Sequence, residues 1–198
     1  MSENLPSNGR AAASCMIAAM FVVGCIDNFI VFIAETVSIW QFQALRAAIA
    51  LPLILGLSAF GAGSILPKRF WAVLLRSLFL TISMLFYFGS LAFMPMAQAL
   101  AGLFTSPIFV LLITAFALGE KIGPIRVIAV SLGFLGILLV LNKGLIDLNI
   151  ISFLPVFGGV FYALAAVATR QLCEGESTLS LLTMLLVLQF LFGLVALI

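Results

Sequence analysis

Charge is what this sequence has least of. Seven acidic and nine basic residues among 198 make a charged fraction of 8%, against about 25% in an ordinary soluble domain. So few charges cannot clothe a chain of this length in water, which excludes a water-soluble fold and leaves lipid as the solvent for most side chains. Histidine is absent, and with it the commonest general base. No G-x-x-x-x-G-K-[ST] loop and no cysteine-rich metal spacing occur, so the motifs support neither a nucleotide-driven pump, nor a metal site, nor a cofactor, nor a catalytic residue. Cys15 and Cys25 stand ten residues apart on one predicted helix, roughly 15 Å and beyond bridging distance, while Cys173 falls in a predicted loop. The net charge of +2 is no nucleic-acid signal.

What the chain has in abundance is long apolar runs. Hydrophobic residues are 65% of the total, and about 20 of them in a row suffice to cross a bilayer core as a helix. Dividing the sequence wherever charge, proline, glycine or asparagine interrupts predicts an all-α membrane protein, a polytopic transmembrane helix bundle of about seven spans over 13–33, 37–59, 71–93, 97–118, 123–141, 151–169 and 179–198. The first run is too long for a signal-peptide core and lacks a small-residue cleavage site. Residues 1–12 form a hydrophilic tail. With that tail in the cytoplasm, Arg10, Lys68, Arg69, Lys121, Arg126 and Arg170 all fall in or beside inner segments and only Lys143 lies outside. This asymmetry predicts a multi-pass protein with its amino terminus inside. The loops are short, Met94-Pro95-Met96 the tightest, which makes successive helices antiparallel neighbours.

Several stretches stand out from the second span onward: Phe42-Gln43-Ala44-Leu45-Arg46, the stretch from Tyr87-Phe88-Gly89-Ser90 through Met94-Pro95-Met96-Ala97-Gln98, Ser106-Pro107-Ile108-Phe109, Leu118-Gly119-Glu120-Lys121, and Gly133 and Gly136. This set resembles the EamA-like branch of the drug/metabolite transporter superfamily, a resemblance that places the protein in a bacterial inner membrane as an expectation. It implies a five-helix repeat over 13–141, with 142–198 as the first two helices of a second copy. Because five is odd, that copy enters the membrane from the opposite side, an inverted repeat left incomplete at Ile198. The partners implied are the bilayer, a small-molecule substrate, and a missing C-terminal portion or a second copy of the chain to complete the bundle.

Among single residues, Asp27 is the most exposed to physical cost, since a mid-span carboxylate costs about 2.5–3.5 kcal/mol unless it finds a partner, water or a proton. Arg46 lies at similar depth on the next span, so an Asp27–Arg46 ion pair is expected, either locking two helices together or facing a substrate cavity. Tyr87 and Gln98 are placed in the same layer, and Tyr162 stands mid-span where its hydroxyl needs a partner. Thr105, Ser106 and Pro107 sit mid-span in the fourth run, where proline removes a backbone donor and permits a kink. Gly133, Gly136 and the pair Gly158-Gly159 allow close helix approach. Arg76 is expected to snorkel to the inner surface, and Glu120 with Lys121 to form a loop salt bridge or to act as helix-end charges. The expected function is secondary transport of a small polar metabolite, amino-acid-like or related. The rival is a non-transporting assembly subunit or an inactive fragment of such a transporter.

Overall fold

The computed structural model describes residues 14, 17–18, 21, 39–61, 63–120, 122–141 and 153–195. Seven helices run through these residues: α1 (Ile39–Ala59), α2 (Phe70–Ser90), α3 (Met96–Leu103), α4 (Ser106–Phe116), α5 (Pro124–Leu141), α6 (Leu154–Leu172) and α7 (Thr178–Val195). No strand occurs among the described residues. Prolines mark the starts: Pro95 caps α3, Pro107 and Pro155 occupy the first turns of α4 and α6, and Pro124 opens α5. Proline suits these positions because the first helical N–H groups have no intrahelical acceptor to lose. After α4 and α6 the chain turns at Gly119 (φ 64°) and Gly175 (φ 77°), left-handed backbone that glycine adopts without steric cost.

Three described stretches are long and apolar enough to cross a membrane: Phe70–Ser90, Met96–Phe116 and Thr178–Val195. The middle one is interrupted at the point where the sequence permits a kink. It is two helices, α3 and α4, separated at Phe104 and Thr105. Pro107 has no N–H to return to the preceding turn. In place of a continuous ladder, the Thr105 backbone N–H and Oγ1 both donate to the Gly102 carbonyl, at 3.2 and 2.6 Å. The third span is also shorter than expected, α2 closing at Ser90 and turning over Leu91–Phe93. The first run, 13–33, lies outside the described residues except for Ser14, Ile17, Ala18 and Phe21.

Packing inverts the order of a water-soluble protein. Ile125, Ile128 and Leu132 on α5 are 82%, 58% and 64% exposed, ordinary for side chains dissolved in hydrocarbon. The interior is built from small residues: Ala44 and Ala47 on α1, Ser77, Thr81 and Ser83 on α2, Ala163, Ala165 and Ala168 on α6. Without a hydrophobic force between helices in lipid, small side chains let dispersion contacts form at short range. α6 is the hub. It lies along α2 most extensively and also packs on α3 and α4, while α1 pairs with α7.

The glycines separate by neighbour. A Cβ at Gly158 would stand 3.2 Å from the Ser83 carbonyl oxygen, and one at Gly159 2.9 Å from Thr105 Oγ1 and 3.1 Å from the Gly102 oxygen. Both serve close approach of α6 to its partners. Gly133 and Gly136 do not: no described atom lies within 4 Å of a Cβ built at either, because α5 touches the described bundle only lightly, along α3 and α4.

Candidate functional site

α1 carries Gln43 and Arg46 three residues apart, hence on one helical face. α7 carries Gln189. Arg46 Nη2 donates to Gln189 Oε1 at 2.6 Å, a short charge-assisted bond across the α1–α7 interface. Turning the Gln189 oxygen toward the guanidinium leaves its amide nitrogen facing away. Gln43 is 5% exposed and Gln189 2%, yet Gln43 Oε1 and Gln189 Nε2 have no hydrogen-bond partner among the described residues. A buried polar group left so costs about 1–3 kcal/mol. One unspent acceptor and one unspent donor, on two facing helices beside a guanidinium, make the most polar buried group described in this bundle.

Sequence reasoning singled out Arg46, as a partner for Asp27, but missed both glutamines as site residues. Gln43 was visible only as part of the aromatic-x-x-x-Arg motif. Gln189 is the lone polar residue between Met184 and Gly193, and an amide inside so apolar a run is itself a signal, weaker than a charge but of the same kind.

The remaining expected residues scatter. Asp27 lies outside the described residues, and the Asp27–Arg46 pair with it. Tyr87 is buried on α2, its ring 5.1 Å from Phe88 in an edge contact and packed beside Ala99. The neighbouring Gln98 is half-buried and donates its backbone N–H to the Pro95 carbonyl. Thr105 and the buried Ser106 sit at the α3–α4 break against Gly159. Tyr162 is 39% exposed. An apolar cleft of about 430 Å³ opens between the start of α4 and α5, lined by Phe104, Pro107, Ile108, Ala129, Val130, Gly133 and Phe134. None of its lining side chains carries a charge or hydroxyl with which to orient a polar ligand.

A second polar assembly closes one end of the bundle. The Glu176 carboxylate, between α6 and α7, accepts the backbone N–H groups of Lys68 (2.9 Å) and Arg69 (2.6 Å) at the start of α2. Lys68 Nζ donates to the Gly175 carbonyl at 3.1 Å, and Ser177 Oγ to that of Ser64. The Lys68 N–H foremost, then that of Arg69, holds the Glu176 carboxyl below the usual carboxylate range. Nearby, Glu120 pairs with Arg170 at 3.1 Å, a salt bridge as one of its two expected readings had it. Arg76 does more than reach for the surface: its Nε donates to Thr169 Oγ1 and its Nη1 to the Leu181 carbonyl, both at 3.1 Å, joining α2, α6 and α7. Cys173, just beyond α6, is buried, and that burial pushes its thiol up in spite of Arg76.

Apolar side chains outward, amides and a guanidinium inward, and helices of membrane-crossing length define a polytopic helical membrane protein. The EamA-like transporter family profile matches residues 10–142, and the chain belongs to that family. It is similar to proteins named riboflavin transporter from three bacteria. The Vibrio cholerae protein is 30% identical over 156 residues, 78% of this chain and 51% of that one. The Rhizobium johnstonii protein is 30% identical over 118 residues, 60% of this chain and 39% of that one. The Brucella anthropi protein is 26% identical over 152 residues, 77% of this chain and 52% of that one. The chain thus spans about half the length of these relatives or less. No solved structure matches.

Proposed function

We propose that the protein takes part in secondary transport of a small polar metabolite across a bacterial inner membrane, with riboflavin the first substrate to test. The observation that carries this reading is the polar group between α1 and α7, in which Gln43 and Gln189 are buried and Arg46 is half-buried. A guanidinium and two amides inside a membrane bundle are costly to keep, and such groups mark substrate or ion paths. Family membership supports transport, and the names of the relatives favour riboflavin over the amino-acid-like substrate expected from the sequence. In this reading residues 13–141 are one repeat and 142–198 begin its inverted copy. The end carrying Lys68, Arg69, Arg126 and Arg170 faces the cytoplasm, as the positive-inside rule favours. Asp27, Tyr87, Gln98, Thr105, Ser106 and Tyr162 line or flank the path, and Pro107 lets the fourth span bend.

The test is uptake of radiolabelled riboflavin by a riboflavin-requiring bacterium lacking its own transporter. Expression of the protein is expected to raise accumulation above the empty vector, and Arg46→Ala to abolish the gain. The rival reading is a membrane subunit that does not transport. It gains if accumulation never exceeds the vector while the protein is present in the membrane.

A further inference from the structure

We infer that Gln43 and Gln189 form a recognition site for a planar cyclic imide, the pyrimidine-like edge that a flavin ring presents. The inference rests on the transport reading above and deepens it. An imide edge alternates acceptor, donor, acceptor. Facing it, the site holds one buried acceptor, Gln43 Oε1, and one buried donor, Gln189 Nε2, neither of them used by a described residue. The imide N–H donates to Gln43 and an adjacent imide carbonyl accepts from Gln189.

Arg46 is the positioning residue. By donating to Gln189 Oε1 at 2.6 Å it fixes which end of that amide faces the ligand, so Gln189 meets a carbonyl and not another donor. The guanidinium adds a positive field beside an edge rich in carbonyl oxygen. α1 and α7 are in contact near the site, a Cβ at Gly193 standing 3.1 Å from that of Ala44. The amides are therefore reached as the two helices part, a motion that alternating access supplies. In the closed pair the two unspent groups carry a desolvation cost that an imide relieves and a hydrocarbon ring does not.

The experiment is equilibrium binding to the purified protein in nanodiscs, read by quenching of flavin fluorescence. Riboflavin is compared with riboflavin methylated at the imide nitrogen, which cannot donate. Wild type is expected to bind the methylated flavin about tenfold or more weaker, the consequence of leaving Gln43 unpaired. In Gln43→Met that discrimination is expected to collapse to about twofold or less. Gln189→Glu keeps an oxygen for Arg46 but loses the donor, and is expected to weaken riboflavin about tenfold.

Equal affinity of wild type for the two flavins overturns the site, whatever the transport assay gives. So does a wild type that binds neither. If Gln43→Met does not fold, the wild-type comparison and Gln189→Glu decide. Discriminating binding without cellular uptake leaves the site standing and sinks the transport reading instead.

Discussion

Gly159→Ala puts the close packing of α6 on the broken fourth span to a direct test. The added methyl would stand 2.9 Å from Thr105 Oγ1, 3.1 Å from the Gly102 oxygen and 3.3 Å from the Leu103 oxygen. Two of these are backbone carbonyls at the end of α3, so no rotamer change relieves them. The third belongs to a hydroxyl already committed to Gly102 at 2.6 Å. Overpacking of this kind costs about 1–3 kcal/mol, and the better helix propensity of alanine returns about 1 kcal/mol. A net loss of up to about 2 kcal/mol is expected. Gly136→Ala is the control, because no described atom lies within 4 Å of its new methyl, so it should be neutral or gain up to about 1 kcal/mol. The two variants would be unfolded side by side in mixed micelles of increasing denaturing detergent, followed by circular dichroism. The reasoning fails if Gly159→Ala unfolds at the same detergent fraction as Gly136→Ala, or later.

Two further predictions concern the clasped end. The Glu176 carboxyl is held below its ordinary value of 4.5, first by the Lys68 N–H. Its contribution is therefore complete above that value and is lost as pH falls through the lower, folded-state value. Protection of the Lys68 and Arg69 amides from hydrogen exchange, taken against the intrinsic rate at each pH, should fall on acidification below about 4.5, and in Glu176→Gln should be lower at neutral pH and largely insensitive to that acidification; unchanged protection in the variant would refute the clasp. Cys173 is 5% exposed and its thiol is raised by burial. In a Cys15→Ser, Cys25→Ser background it should react sluggishly with a maleimide at neutral pH and respond only above the usual thiol range. Glu176→Ala should release it. Labelling of the parent as fast as that of a cysteine placed at the exposed Glu174 would count against the burial.

How much of this was legible in the residues depended on the range of the force involved. The helices were readable because hydrocarbon imposes about 20 apolar residues on any span, and the runs behind α2 and α7 meet that demand unaided. The break in the fourth span is nearly as local, since Thr105, Ser106 and Pro107 carry both the missing donor and the hydroxyl that answers it. Long-range pairing was not readable. Glu120 was readable as a loop salt bridge or a helix-end charge, but not its partner, Arg170, which is 50 residues away. Gly158 and Gly133 have the same lack of a side chain, and only the backbone opposite tells them apart. Gln189 escaped because attention went to charge, although an amide buried at 2% exposure faces the same scarcity of partners.

The placement of α6 also bears on the order in which the protein is made. α2, α3 and α4 emerge from the ribosome well before Leu154–Leu172, the helix against which all three pack. The family profile ends at residue 142, so the helices it covers acquire that shared packing surface only from chain synthesised afterwards. The start of α2 likewise waits 107 residues for the Glu176 carboxylate, on the order of 5–20 seconds at ordinary rates of translation. Until Leu154–Leu172 is made, the small-residue faces of α2, α3 and α4 lie in the bilayer without α6, open to lipid or to whichever protein guides insertion.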